Sequence, residues 1–223
     1  MSHPTEPRDP SRRQFHRFLL AILAATALPA GAAASPTWLP IRPAQLGDSP
    51  GKIEVLEFFS WGCSHCRDFN PAVKRWEHDL PKDVTFKRVP VSFGRAAWSN
   101  LARMFYALDG IGELQRLDEA VFAAIHDRRV NLYTEASALA WVRQQGVDAS
   151  RFSAAFTSFS TETRVARAEQ LSRAYKVDSV PLITVAGRFR VVNKAAHDQA
   201  GLFGVVDELI AQVRKEQPTR RKR

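Results

Sequence analysis

"KIEVLEFFSWGCSHCRDF", Lys52 to Phe69, decides the reading of this chain. Its first half, Lys52 to Phe59, is a nearly continuous apolar run of strand length, the pattern of a strand covered on both faces. Its second half changes period. Phe69, Val73, Trp76 and Leu80 recur at four, three and four, which predicts a helix over about 63–79 with one apolar stripe turned inward. Pro71 removes one N–H from that helix and is expected to kink it. The only two cysteines of the 223-residue chain, Cys63 and Cys66, sit where strand gives way to helix.

Working outward, Asp83 to Phe93 alternates as a second strand, so strand, helix and strand make a βαβ unit, expected to be right-handed. The next β-like run is "PLITVAG", Pro181 to Gly187, leading through a Gly-Arg turn into "RFRVVN". Between lie about ninety residues, far more than a crossover requires. They are patterned as helices: Ala97–Leu108, Leu114–Ile125, a segment opening at a Thr134 cap, and Phe152–Tyr175. A closing helix, Gly201–Val213, covers the sheet. The pattern predicts an α/β domain with a helical segment inserted in it, divided as 35–94 and 165–216 for the α/β part and 95–164 for the insert.

The ends read differently. Arg12, Arg13 and Arg17, the apolar run Phe18–Pro29 and the small residues of "AGAAAS" make residues 1–34 a secretory signal peptide, cut after Ala34 or, second, after Ala32. An N-terminal arm is the plainer alternative. "SRRQFHR" also resembles the twin-arginine export signal, although His16 stands where an apolar residue is usual, so the general secretory and twin-arginine routes both remain open. Either route ends outside the cytoplasm, where disulfides persist. Net charge is +9, but the leader carries +2 and the tail from Lys215 carries +4. The body is left with only +3, too little to call for a nucleic-acid partner. Residues 217–223 form a basic, disordered tail, with weak contact to anionic lipid as the functional alternative.

Four chemistries compete for Cys63 and Cys66. A structural zinc site needs about four ligands, and no second cysteine pair exists to accompany His65, His126 or His197. Haem attachment needs His after the second cysteine, where Arg67 stands. A static disulfide across so short a loop restrains the unfolded chain little and tends to be reducible. The neighbours favour a redox-active dithiol. Cys63 begins the helix, where unpaired N–H groups and the positive end of the dipole favour a thiolate. It is expected to be the exposed cysteine, and His65 inside the loop can add charge or a hydrogen bond. A stabilised thiolate stabilises the reduced chain, which makes the Cys63–Cys66 disulfide an oxidant.

"VLEFFSWGCSHC", "SVPLITVAG" and "AIHDRRVNL" together resemble the DsbA family of periplasmic thiol:disulfide oxidoreductases over essentially the whole mature chain. The resemblance implies a thioredoxin-like fold with an inserted helical domain. It implies that Cys63 is the nucleophile, Cys66 the buried partner and His65 the histidine that steadies the thiolate. Pro181 would be a cis-proline facing the dithiol, and Val180 the residue whose backbone pairs with bound peptide; from the residues alone, a trans bond opening an edge strand is equally open. The partners implied are unfolded exported polypeptides with free thiols and a quinone-linked membrane reoxidant like DsbB, for a periplasmic monomer with no cofactor beyond its own disulfide. Ser64 departs from the proline usual in the family loop, which bears on how oxidising the pair is. Glu57, a carboxylate inside the apolar strand, is a fourth candidate: buried, it would hold its proton more tightly and move protons near Cys66, with Arg88 (favoured by the resemblance) or Lys87 as its charge partner. The alternative is a Glu57 that points to solvent. A reductase or isomerase of the same fold, and a redox-inactive peptide-binding holdase, are the rival functions.

Overall fold

The computed structural model describes residues 36–192 and 199–216. The leader 1–34, the tail 217–223 and His197 lie outside the described residues. Among the described residues, five strands form one mixed sheet: β1 (Trp38–Pro40), β2 (Ile53–Phe59), β3 (Val84–Pro90), β4 (Leu182–Val185) and β5 (Phe189–Val191), in the order β1-β5-β4-β2-β3. Of these pairings, β2 with β3 is the parallel one, with Glu57 directly beside Arg88 in the register. β4 pairs antiparallel with β2 on one side and β5 on the other.

All seven residues of β2 are buried, as its nearly continuous apolar run predicts. The buried apolar residues fall into two clusters. Ile53 and Val55 join Phe69 and Val73 of helix α1 (Ser64–His78) and Leu202, Val206 and Leu209 of the closing helix α7 (Gln199–Glu216). Leu56, Phe58 and Phe59 pack instead with the helices between β3 and β4. These are α2 (Ala96–Gly110), α3 (Leu114–His126), α4 (Glu135–Gln144), α5 (Ala149–Phe156) and α6 (Phe159–Ala174). One strand thus contributes to two cores, which fixes the sheet between its helical layers.

Helix α1 runs on through Pro71. Two local expectations need amendment. The expected single helix over 152–175 is two, because Ser158 turns out of the helix and its hydroxyl accepts from the Thr161 N–H, capping α6 afresh. Residues 164 and 165 both fall within α6, one continuous helix. Strand β1 was not expected at all; Trp38–Pro40 adds to the sheet by pairing with Phe189–Val191. The Thr134 cap is present, as a reciprocal box with Ser137. The β4–β5 turn uses positive φ at Ala186 and Gly187, and at Gly187 a Cβ would lie 2.0 Å from the Gln45 carbonyl oxygen, so only glycine fits. Among the described residues, no helix is long and apolar enough to cross a membrane.

Candidate functional site

Strand β2 ends at Phe59, and three residues, Ser60 to Gly62, carry the chain to Cys63 at the N-cap of α1. Cys63 has extended backbone angles (φ −99°, ψ 120°), and its carbonyl accepts from the Arg67 N–H to open the helix. No side chain caps this terminus, so its free N–H groups are turned toward the sulfur. Both thiols are free in this structure, with Cys63 half-buried and Cys66 wholly buried. The two sulfurs are therefore unlike in every respect that governs exchange.

The Cys63 thiol is drawn down from 9.0 to about 6. The Cys66 thiol donating to its sulfur is the largest cause; the backbone N–H groups of Cys66 and His65 follow, and the charge of exposed His65 comes last, all working against partial burial. The His65 charge thus ranks below the neighbouring sulfur among the influences on Cys63. Burial first, and then the neighbouring Cys63 sulfur and the Glu57 carboxylate, push the Cys66 thiol far up.

Opposite the dithiol, the Cys63 sulfur lies 3.5 Å from the Val180 carbonyl oxygen. The Val180–Pro181 bond is cis, and it leads into β4, an interior strand rather than an edge strand. The trans edge-strand alternative is thus set aside. Both residues are partly exposed beside Cys63.

Glu57 does not point to solvent. It is 0% exposed and accepts a 2.7 Å hydrogen bond from Arg88 Nε. Lys87, the other candidate partner, alternates to the far face of β3 and pairs with Glu54 and Asp48. Burial raises the Glu57 carboxyl well above the usual carboxylate range, against the pull of Arg88.

Sequence reasoning missed Asp118 of α3 and gave His126 of the same helix no role at this site. Asp118 is buried, and its Oδ1 accepts from both Trp61 Nε1 (2.9 Å) and Arg88 Nη1 (2.8 Å). His126, two turns along α3, lies with Nε2 2.8 Å from the Trp61 carbonyl oxygen. Trp61 is thus held at both ends, two residues before Cys63. On the other flank, Trp98 of α2 lies so close to Gly62 that a Cβ there would meet its Nε1 at 2.7 Å. The position of Asp118 one helical turn after Leu114 was the only available signal, and it reads equally as a solvated helix-start acid.

This geometry suits a disulfide that opens and recloses: one accessible, acidified sulfur, one sealed sulfur, and exposed backbone beside them. The sequence profile of the DSBA-like thioredoxin domain family matches residues 54–204. The thiol:disulfide interchange protein DsbA of Bordetella parapertussis is 41% identical over 206 residues, covering 90% of this chain and 98% of its own. That of Azotobacter vinelandii is 34% identical over 182 residues, 82% of either chain. Among solved structures, Pseudomonas aeruginosa DsbA is similar with a TM-score of 0.77 at 32% identity, covering 81% of this chain and 93% of that one. The oxidoreductase DsbA from Xylella fastidiosa gives 0.73 at 30% identity, covering 80% and 96%. Fold, dithiol and kinship agree: the chain belongs to the DSBA-like thioredoxin family and is a thiol:disulfide oxidoreductase.

Proposed function

We propose that this oxidoreductase donates its Cys63–Cys66 disulfide to newly exported polypeptides in the periplasm, with Cys63 as the sulfur attacked. The observation that carries the reading is the asymmetry of the two sulfurs, one half-open and acidic near 6, the other sealed. A substrate thiolate attacks the Cys63 sulfur, the Cys63–Cys66 bond breaks, and Cys66 leaves with the electron pair and takes a proton. A second substrate thiolate then attacks the substrate's own sulfur in the mixed disulfide and releases Cys63 as a thiolate. Two substrate thiols become one disulfide, and two electrons rest on Cys63 and Cys66. A sulfur that holds its negative charge well is a good leaving group, so the second step is the one that the low Cys63 value assists.

Val180 and Pro181 serve the substrate's backbone in this reading; the closeness of the Val180 carbonyl to the Cys63 sulfur supports it. His65 steadies the thiolate, and Glu57 sets the charge next to Cys66. The thioredoxin-like part, 35–94 with 165–216, carries the chemistry, and the helical segment 95–164 shapes the site around it. A membrane protein resembling DsbB, passing electrons to quinone, restores the disulfide of the monomer. No cofactor beyond that disulfide is required.

Equilibration of the Cys63–Cys66 pair with glutathione tests the direction. The pair is expected to stand mostly reduced in a buffer of equal glutathione and glutathione disulfide. A pair that stays oxidised there would be strongly reducing, and the donor assignment would fall. The Cys63→Ala variant is expected to lose disulfide-forming activity entirely; a chain that acts only by gripping peptides would keep its activity.

A further inference from the structure

Three buried charged groups meet under the dithiol: Glu57 on β2, Arg88 on β3 and Asp118 on α3. One guanidinium faces two carboxylates, so full ionisation would leave a net negative charge in a site whose members are 0%, 12% and 3% exposed. Isolated charge at such depth is costly, and the trio is expected to hold one proton. Hydrogen bonding decides which carboxyl holds it. Asp118 accepts from Trp61 Nε1 and Arg88 Nη1 at Oδ1, and Lys74 Nζ stands 3.9 Å from Oδ2. Among the described residues Glu57 accepts from Arg88 Nε alone; its Oε1, like Asp118 Oδ2, has no hydrogen-bond partner. A cavity of about 570 Å³ is lined by Lys74, Glu77, Arg88 and Asp118 together with apolar side chains. Two hydrogen bonds and the nearby Lys74 ammonium favour charge on Asp118; one hydrogen bond and complete burial favour the proton on Glu57.

We propose that Asp118 is a positioning residue for thiol exchange: by taking one side of Arg88 it leaves the shared proton on Glu57, so that Cys66 departs without a negative charge beside it. The inference rests on the reading of Cys66 as the thiol expelled in the first step. The groups acting on Glu57 agree with it. Arg88 from β3 favours its ionised form, while burial most of all, and then Asp118 from α3 and Glu77 from α1, oppose it. Lys74 of α1 acts through Asp118, and Ile183, opposite Glu57 on β4, brings no charge. On Cys66, burial and the Cys63 sulfur act first, and Glu57 is the carboxylate that adds to them. In Asp118→Asn, Arg88 has only Glu57 to neutralise it. The proton leaves Glu57, and the negative charge moves from Asp118 to the neighbour of Cys66.

Infrared difference spectra read the proton directly. At pH 7 the parent is expected to show a buried protonated-carboxyl band that is missing from Glu57→Gln and missing from Asp118→Asn. Trp61→Phe, which deletes one hydrogen bond but no charge, is expected to keep it. In stopped flow, with the rate expressed per small-thiol thiolate, Asp118→Asn is expected to slow the opening of the oxidised protein about three- to tenfold, by making Cys66 a poorer leaving group. A parent spectrum identical to that of Glu57→Gln overturns the proposal even if Asp118→Asn does not fold. So does a band that survives in Asp118→Asn, or one lost in Trp61→Phe. None of these results touches the glutathione equilibrium, so failure here leaves disulfide donation standing; a chain inert toward thiols with the band in place sinks donation alone.

Discussion

Reduced protein unfolded by urea at two pH values gives a direct measure of what the Cys63 environment contributes. Cys63 titrates near 6 in the folded chain against 9.0 without that environment. Because the folded value is the lower one, the unfolded chain binds more protons between the two, and stability rises with pH across that window. Below about pH 6 the contribution is lost, and above about pH 9 it is complete. From pH 5 to pH 8, linkage sets a ceiling of about 2.6 kcal/mol on the gain. Solvent screening of a half-open sulfur lowers that to about 1 to 2 kcal/mol. Subtracting the same measurement on reduced Cys63→Ala removes every other titrating group. The parent-minus-variant difference is expected to grow by about 1 to 2 kcal/mol from pH 5 to pH 8, with chain stability read from far-UV circular dichroism. A difference that stays flat, or shrinks as pH rises, refutes the reasoning. The same stabilisation, confined to the reduced form, is what makes the oxidised form a donor.

Arg88→Met leaves the buried negative charge of the trio without its cation, and is expected to cost about 3 to 5 kcal/mol at pH 7, recovering in part at pH 5 as that charge is neutralised by a proton; a loss independent of pH in urea titrations would mean that packing over the Phe59 ring, 3.9 Å away, dominates. Gly62→Ala drives a Cβ against Trp98, with an expected loss of about 1 to 3 kcal/mol and a changed near-UV spectrum. His65→Ala keeps the backbone N–H that points at the Cys63 sulfur and loses only the side-chain charge. Thiolate absorbance should therefore show the Cys63 midpoint rising by less than about one pH unit, and a larger rise would move His65 to the head of the causes.

Much of this was legible because the informative patterns are local. The β2 run, the change of period at Cys63 and the dithiol at a helix start are all readable within twenty residues. Glu57 stood out because a carboxylate set between Leu56 and Phe58 in an otherwise largely apolar strand is anomalous. Asp118 did not, since its meaning lies in partners 57 and 30 residues away, one an indole and one a guanidinium. Strand β1 escaped because three residues, one a proline, carry no period, and its place comes from backbone pairing with β5. The break between α5 and α6 escaped because apolar spacing continues through it; a serine hydroxyl at Ser158 ends one helix and begins the next.

The fastening of Trp61 by α3 has a consequence for the order of events as the chain is made. Asp118 and His126 follow Trp61 by 57 and 65 residues. Both cysteines therefore emerge well before the helix that holds their loop in place. Until α3 docks, Cys63 has no fixed helix start or sealed neighbour to acidify it, and its thiol is an ordinary one. The young chain is then closer to a client than to a catalyst, and it acquires its power to oxidise others only by finishing its own fold.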